Sequence, residues 1–196
     1  MKIVFLLGSP RPEGNSSTIA GRLEATAAAL GARTRMFKLN RLNYRGCQGC
    51  YACKKKLDRC ILEDDLTEVL AQVAEADAVV LATPVYYGDV SGQLKCFIDR
   101  TFSYLVPDYI TNPSPSRLAP GKKLVFIITQ GQPDEALFSD IFPRYTNFMK
   151  WYGFAETRLI RACGIGPASI DRVPEKYLLQ ADEVARTLVG QGAKTG

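Results

Sequence analysis

The 196-residue chain contains no histidine and a single tryptophan. Without an imidazole, the sequence excludes catalysis by a Ser-His-Asp triad or by a Cys-His pair. No pair of carboxylates stands out as a hydrolytic dyad, because the three acids at 63–65 lie where a helix is predicted to begin. The sequence therefore argues against hydrolytic and other histidine-dependent chemistry.

Long apolar runs are also missing from the chain. No stretch approaches the roughly twenty apolar residues that a membrane-spanning helix needs. The run at 3–7 is too short for the core of a signal peptide, and no small-residue cleavage site follows it. We therefore expect no membrane association and a cytoplasmic location, where thiols stay reduced. Six cysteines then indicate metal binding or redox chemistry rather than three disulfides.

The net charge of +5 is modest, and the basic residues are scattered apart from the run at 54–56. No basic arm is evident, which argues against a nucleic-acid partner. A mild basic bias suits a small anionic ligand. The length fits one domain with a full core, so we expect residues 1–196 to form a single domain.

Short apolar runs alternate along the chain with longer amphipathic stretches. Strands are predicted at 2–8, 33–39, 78–88, 122–131 and 157–166. Helices are predicted at 15–30, 64–76, 91–105, 134–154 and 174–190. Asn15 or Ser16 should cap the first helix, and Pro143 should bend or restart the fourth. This alternation predicts an α/β fold, a doubly wound five-stranded parallel sheet in the flavodoxin-like order 2-1-3-4-5, with helices on both faces. Ligands of such sheets bind beyond the carboxyl ends of the strands, which directs attention to the loops after strands one, three and four.

The loop after strand one, "GSPRPEGNSST" at 8–18, opens a predicted helix. A helix start offers unpaired N–H groups and a partial positive charge, which suit a phosphate. The loop lacks the lysine-containing P-loop pattern and also G-x-G-x-x-G, which argues against a dinucleotide held in the Rossmann manner. An ordinary helix cap with a Pro/Gly turn is the alternative. A phosphate site is favoured by one positive charge beside several hydroxyls, supplied by Arg11, Ser9, Ser16, Ser17 and Thr18.

With this loop and with "TPVYYGDVSGQLKCFIDR" at 83–100, the chain resembles the NADPH-dependent FMN reductase family of flavodoxin-like proteins. The resemblance implies that the first loop holds the FMN phosphate through Ser9, Arg11, Gly14, Asn15, Ser16 and Ser17. It implies that the flavin ring is lined by Pro84, Val85, Tyr86, Tyr87 and Gly88, and that a third loop adds Thr129, Gln130 and Gly131. Apart from the family, two tyrosines make flat walls for a flat ring, although aromatic residues can also simply end a buried strand.

The resemblance also implies an FMN-dependent oxidoreductase in which the flavin carries the chemistry and no side chain is catalytic. Electrons would come from NAD(P)H or a one-electron donor and pass to a flavin, a quinone or an electron-carrier protein. The alternative is a non-enzymatic electron-transfer flavoprotein, which would lack a pocket for NAD(P)H. A Pro- and Ser-rich insert at 104–121 is either a subunit interface over the flavin, as in similar proteins, or a disordered surface segment. The first reading predicts a homodimer or homotetramer.

Four of the six cysteines crowd into the loop at 46–61, with the spacing C-x2-C-x2-C-x6-C. This triplet spacing lets consecutive thiolates reach different irons of one cubane. The motif resembles that of iron-sulfur flavoproteins, a branch of the same family. The resemblance implies one [4Fe-4S] cluster, its negative charge offset by the lysines at 54–56, with the ligands Cys47, Cys50, Cys53 and Cys60.

Three other interpretations of the cysteine loop remain open. Zinc accepts four thiolates, although structural zinc sites usually use two separated pairs. A C-x-x-C pair could form a redox-active disulfide. The thiols could also be reduced and without a role, as in plain FMN reductases.

Overall fold

Five parallel strands form the central sheet of the computed structural model, which describes residues 1–166 and 173–190. The parallel strands are β1 (Lys2–Leu7), β2 (Arg33–Lys38), β3 (Ala78–Tyr86), β5 (Lys122–Thr129) and β6 (Phe154–Ala162), and a sixth, short strand is β4 (Asp89–Val90). The order is β2-β1-β3-β5-β6, and β4 is a two-residue strand that pairs antiparallel with the end of β3. Numbering only the parallel strands gives the order 2-1-3-4-5, so the predicted topology is confirmed.

Helices cover both faces of this sheet. They are α1 (Asn15–Ala29), α2 (Ala52–Lys55), α3 (Leu66–Glu75), α4 (Gly92–Arg100), α5 (Ile141–Trp151) and α6 (Glu175–Gly190). Two 3₁₀ helices lie at Leu39–Arg41 and Thr101–Tyr104. No helix within the described residues is both long enough and apolar enough to cross a membrane.

Each face of the sheet has its own hydrophobic core. Along β1, Ile3 and Phe5 pack with residues of α1 and α6, whereas Val4 and Leu6 pack with residues of α3, α4 and α5. Successive side chains of a strand point to opposite faces, so a strand covered on both sides needs apolar residues at every position. This requirement explains why β1 reads as a continuous apolar run.

Two helix starts differ from the prediction. The cap of α1 is Gly14, and Asn15 is instead the first helical residue. Helix α5 begins at Ile141 rather than at 134, which places Pro143 in its first turn. Proline is tolerated there because the first N–H groups of a helix have no intrahelical partner. Pro143 therefore marks where the helix begins, and the residues before it form a loop.

The cysteine loop and the insert contact each other beside α4. The insert at 104–121 folds back on itself, since the Val106 N–H donates to the Pro115 carbonyl (2.9 Å) and the Arg117 N–H donates to the Tyr104 carbonyl (2.7 Å). The Arg117 guanidinium also donates to the carbonyl of Cys53 (3.2 Å). The insert is thus a loop whose two ends are hydrogen-bonded to each other, and it packs against one side of the cysteine loop.

Candidate functional site

The loops after β1 and β3 meet at the carboxyl edge of the sheet. The Gly8 N–H donates to the Ala82 carbonyl (2.8 Å), and the buried Ser91 hydroxyl donates to the Gly8 carbonyl (2.7 Å). A Cβ on Gly8 would lie 2.7 Å from the Ser91 Oγ and 2.9 Å from the Cβ of Leu94. Glycine at this position lets the end of β1 pack directly against the start of α4.

The loop that is predicted to bind phosphate closes tightly before α1. The Ser9 Oγ accepts from the Arg11 N–H (3.2 Å), and the Gly14 N–H donates to the Arg11 carbonyl (3.2 Å). A Cβ on Gly14 would lie 2.5 Å from the Ser9 Oγ, so a larger residue would displace the Ser9 hydroxyl. The Asn15 side-chain amide donates to the Ile165 carbonyl (3.1 Å) and ties α1 to the loop after β6. Ser9, Ser16 and Ser17 are buried here, whereas the Arg11 side chain is exposed.

The aromatic loop after β3 is a tight hairpin whose tip is exposed. Tyr87 and Gly88 have φ values of +50° and +77°. A non-glycine residue with positive φ is uncommon, and such strain is concentrated at functional turns. Pro84 is buried, whereas Tyr86 is 41% exposed and Tyr87 is fully exposed. The two predicted ring contacts therefore stand at the surface of this edge, where a planar ligand can reach them.

Helix α5 holds this hairpin through a carboxylate. Asp89 accepts from the Tyr145 hydroxyl (2.8 Å) and from the Arg144 guanidinium (3.1 Å). Burial and the hydrogen bond to Asp89 raise the pKa of Tyr145. Sequence reasoning missed these contacts, because the hairpin and α5 are more than fifty residues apart.

The third predicted loop is organised by the side chain of Gln130. Its amide nitrogen donates to the carbonyls of Gln132 (3.1 Å) and Asp134 (3.0 Å), and its amide oxygen accepts from Arg161 (2.8 Å). Arg161, at the end of β6, keeps a buried Nε–H without a hydrogen-bond partner among the described residues. A buried donor without a partner costs free energy. A ligand with carbonyl groups at this edge could accept a hydrogen bond from the Arg161 Nε–H and remove that cost.

All four cysteines of the loop line one cavity of about 550 Å³. The cavity walls also include aromatic residues of the 3₁₀ turn after α4, of α5 and of the position just after α5, namely Phe102, Tyr145, Phe148 and Tyr152. Cys47 and Cys50 are exposed, and Cys53 and Cys60 are partly buried. Across the described ranges, the thiols share this cavity without being gathered into a metal-coordinating group.

One of the three predicted lysines contacts a thiol. The Lys54 Nζ lies 3.6 Å from the Cys53 Sγ and 4.1 Å from the centre of the Phe102 ring. It also donates to the carbonyls of Phe102 and Leu105. Burial lowers the pKa of Lys54, although the neighbouring Cys53 opposes this shift. Lys55 and Lys56 are exposed.

A buried arginine forms part of the cavity wall. The Arg100 side chain has no exposed surface, and its guanidinium lies 2.8 Å from the carboxylate of Asp64. Burial would lower the pKa of Arg100, but the hydrogen bond to Asp64 and the nearby Cys60 thiol outweigh it and raise the pKa. The Arg100 Nε–H has no hydrogen-bond partner among the described residues. Sequence reasoning missed this residue, because Arg100 reads as the polar end of an amphipathic helix.

Helix α4 joins the cysteine loop to the aromatic loop. It follows the hairpin at 84–90 directly, and the Tyr44 hydroxyl donates to the Gln93 carbonyl (3.0 Å). A Cβ on Gly46 would lie 3.4 Å from the Cys96 Sγ, so the start of the cysteine loop packs closely on this helix. One helix therefore follows the aromatic loop and also contacts the cysteine loop.

Comparisons with known proteins show the family and the fold of this chain. Residues 1–138 match the family described as NADPH-dependent FMN reductase. An iron-sulfur flavoprotein of Methanocaldococcus jannaschii is 39% identical over 101 residues, which cover 52% of each protein. One of Archaeoglobus fulgidus is 41% identical over 106 residues, which cover 53% of this chain and 47% of that relative. The chain thus matches about half the length of these curated relatives.

Solved structures share the fold over nearly the whole chain. An NAD(P)H:quinone oxidoreductase from Methanothermobacter marburgensis has a TM-score of 0.77 at 19% identity, and 96% of each chain is covered. An FMN-dependent NADH-azoreductase from Bacillus anthracis, solved with FMN, has a TM-score of 0.69 at 15% identity, with 98% of this chain and 99% of that chain covered. Since the family match takes in the first and second predicted FMN loops, the cysteine loop and the third loop, this chain belongs to the NADPH-dependent FMN reductase family.

Proposed function

We propose that the protein binds FMN at the carboxyl edge of the sheet and works as an oxidoreductase that takes electrons from NAD(P)H. The observation that carries this proposal is the meeting of a phosphate-type helix start, an exposed tyrosine hairpin and a third loop with an unpaired buried donor. The acceptor would be a flavin, a quinone or an electron-carrier protein. We place this activity in the cytoplasm, because exposed thiols persist in a reducing compartment.

The proposed roles of the loops follow from their chemistry. The start of α1 would hold the phosphate through main-chain N–H groups and the charge of Arg11, as expected for an anion at a helix N-terminus. Tyr86 and Tyr87 would flank the ring, and the Arg161 Nε–H would donate to a ring carbonyl. Bound FMN supplies the hydride and electron chemistry, so the protein needs to bind, orient and shield it.

Gln130 has a structural role in the third loop rather than a direct contact with the flavin. Its side chain is committed to Gln132, Asp134 and Arg161. We therefore propose that it shapes the third loop and holds Arg161 in place, while Thr129 and Gly131 are the positions that approach the ring.

We also propose that Cys47, Cys50, Cys53 and Cys60 hold one [4Fe-4S] cluster. The proposal is supported by the shared cavity, by Lys54 beside one thiol and by the buried positive charge of Arg100. Several relatives bear the name iron-sulfur flavoprotein. When bound, such a cluster transfers one electron at a time, which would connect a two-electron donor to a one-electron partner.

Self-association forms the last part of the proposal, with a second copy of this chain as the partner. A row of neighbouring aromatic rings runs from the cysteine loop across the insert to α5, through Tyr51, Phe102, Tyr109, Trp151 and Phe148. Tyr51 and Phe148 are each 56% exposed and Trp151 is 47% exposed. Contiguous exposed apolar surface marks interaction sites. A second copy on this row would also cover the open cavity and protect a cluster from oxygen.

The cofactors can be tested together on protein that is purified without oxygen. We expect flavin absorption, and about four irons and four sulfides per chain in the wild type, as a [4Fe-4S] cluster requires. Cys50→Ser should lose most of the iron and keep the flavin, whereas the control Cys96→Ser should keep both. Protein that contains flavin but no iron, even after reconstitution, would contradict the cluster. Zinc in place of iron would identify the zinc site, and a disulfide between two loop cysteines would identify the redox-active pair.

The activity can be tested by following NAD(P)H oxidation. We expect oxidation that disappears when flavin is removed and returns when FMN is added. The rate should show no titration near pH 6.5, because the chain has no histidine. FMN binding without NAD(P)H oxidation would favour the non-enzymatic electron carrier.

A further inference from the structure

Arg100 joins the two ends of the cysteine loop. Its Nη1 donates to the Arg45 carbonyl (2.9 Å), which lies just before the loop at 46–61. Its Nη2 donates to the Leu62 carbonyl (3.1 Å), which lies just after the loop. One rigid guanidinium thus spans the base of a sixteen-residue loop.

Asp64 fixes the guanidinium from the side of the loop end. The Asp64 carboxylate accepts from Arg100 Nη1 (2.8 Å) and from the Arg45 N–H (3.2 Å). A buried charge is costly unless it is paired and hydrogen-bonded, and Arg100 has both a carboxylate and two carbonyls. A lysine could not replace it, because an ammonium lacks the planar fork that serves several acceptors at once.

Arg100 lies in the wall of the cavity that the cysteines line, and it keeps a donor that the contacts above do not use. Arg100 and all four loop cysteines line the same cavity, and the Cys60 thiol is one of the groups that interact with the guanidinium. The buried Nε–H has no partner among the described residues. Sulfur atoms bound to iron are hydrogen-bond acceptors, and hydrogen bonds to them help set the reduction potential of a cluster.

We propose that Arg100 is a positioning residue that closes the cysteine loop and donates its Nε–H to the sulfur of Cys60. The loop-closing role depends on the observed contacts alone, and the donor role rests on the proposed cluster. A reduced cluster carries more negative charge than an oxidised one, so a charged donor at its sulfur stabilises the reduced form. Arg100 therefore raises the reduction potential of the cluster and keeps the ligands together before iron arrives.

The loop-closing role is tested on protein without flavin or iron, by proteolysis within the loop. Arg100→Lys should be cleaved at 54–59 at least tenfold faster than the wild type under native conditions. Asp64→Asn should also be cleaved faster, because it removes the group that fixes Arg100. Arg59→Lys is the matched control, since Arg59 belongs to the same loop but its side chain is 69% exposed. Equal cleavage rates in wild type, Arg100→Lys and Asp64→Asn would overturn this role.

The donor role is tested on cluster-loaded protein by anaerobic redox titration followed by electron paramagnetic resonance. In Arg100→Lys, the ratio of reduced to oxidised cluster at a fixed potential should fall about tenfold, which corresponds to about 59 mV for a one-electron couple. Arg59→Lys should leave the ratio unchanged. An unchanged ratio in Arg100→Lys overturns the donor role.

A wild type without iron after reconstitution overturns the proposed cluster and the donor role with it. The loop-closing role is then decided by the cleavage rates, which need no metal. If Arg100→Lys does not fold, Asp64→Asn keeps the cleavage test open, because Asp64 is nearer the surface and its side chain is 16% exposed.

Discussion

Lys122 is a charged residue that enters the interior of this protein and is satisfied by main-chain carbonyls. The Lys122 Nζ donates to the carbonyls of Ala74 and Ala76 at the end of α3, and burial lowers its pKa. Arg11 is different, because its side chain is exposed and forms no hydrogen bond or ion pair with any described residue. Its charge has no structural use in the described part of the chain, which makes it available for a ligand.

The residue-scale prediction concerns this charge. Arg11→Ala should weaken FMN binding by about 10- to 100-fold, because a hydrogen bond to a charged group contributes about 1.5–3 kcal/mol. The stability of the flavin-free protein should not change. Asn15→Ala should reduce both FMN affinity and stability, because it also loses the bond to the Ile165 carbonyl. Fluorescence titration and thermal unfolding measure the two effects.

Arg33→Ala provides the control for Arg11, because Arg33 is exposed at the start of β2, on the opposite edge of the sheet. It should bind FMN as the wild type does. Unchanged FMN affinity in Arg11→Ala would show that the phosphate is held elsewhere.

At the scale of elements, α1 begins at the loop that is predicted to bind phosphate (the phosphate loop) and packs against α6. Arg22 and Thr26 of α1 both donate to the Asp182 carboxylate of α6, with the Arg22 Nη2 at 2.7 Å and its Nε at 2.8 Å. The hydrogen bonds from Arg22 and Thr26 lower the pKa of Asp182 to about 2. This contact joins the helix that begins at the phosphate loop to the last described helix of the chain.

The element-scale prediction is a loss of stability in Asp182→Asn. We expect the free energy of unfolding to fall by roughly 1–2 kcal/mol at pH 7, since Arg22 is 45% exposed and the pair is partly screened. An aspartate whose folded pKa is depressed stabilises the protein fully above its unfolded pKa of about 3.9. This contribution is lost as the pH falls through the folded value. The difference between wild type and variant should therefore shrink between about pH 4 and pH 2.

Denaturant unfolding of flavin-free protein at several pH values measures this difference. Glu68→Gln is the control, because Glu68 and Arg35 form an ion pair whose side chains are both more than half exposed. Its effect should stay below about 0.5 kcal/mol. A loss in Asp182→Asn that does not depend on pH would contradict the assignment.

At the scale of the whole molecule, the two faces of the sheet have different outer surfaces. The face with α1 and α6 carries isolated exposed apolar residues such as Leu179. The other face has the cysteine cavity and the row of aromatic rings described above. Trp151, the single tryptophan of the chain, lies in this row and is 47% exposed. The proposed partner surface and the proposed cluster site therefore share one side of the molecule.

The whole-molecule prediction is that the protein self-associates through this row. Sedimentation at micromolar concentration should give a homodimer or a homotetramer for the wild type. Phe148→Ser combined with Trp151→Ser should shift the protein towards monomer, because the variant loses two of the largest apolar contacts. Leu179→Ser, on the other face, is the control and should leave the association unchanged. A wild type that stays monomeric would contradict the proposal.

The sequence by itself determined the sheet and the edge at which the predicted ligand loops lie. Strands buried on both faces read as continuous apolar runs, so β1, β3 and β5 were evident, and their alternation with helices implied the parallel order. The hairpin strand β4 was not predicted, because two residues carry no periodicity. The start of α5 was misplaced, since an amphipathic pattern does not distinguish a helix from the loop before it.

The tertiary structure alone decided which distant residues meet at the sites. Spacing placed four cysteines in one loop, but only the packing of α4 brought Arg100 to the base of that loop and into the cavity that the cysteines line. The same holds for Asp89 with Tyr145 and for the exposure of Trp151. The hydrophobic periodicity of a helix or strand indicates which face of that element a residue occupies. What lies on that side depends on how elements far apart in the chain pack together.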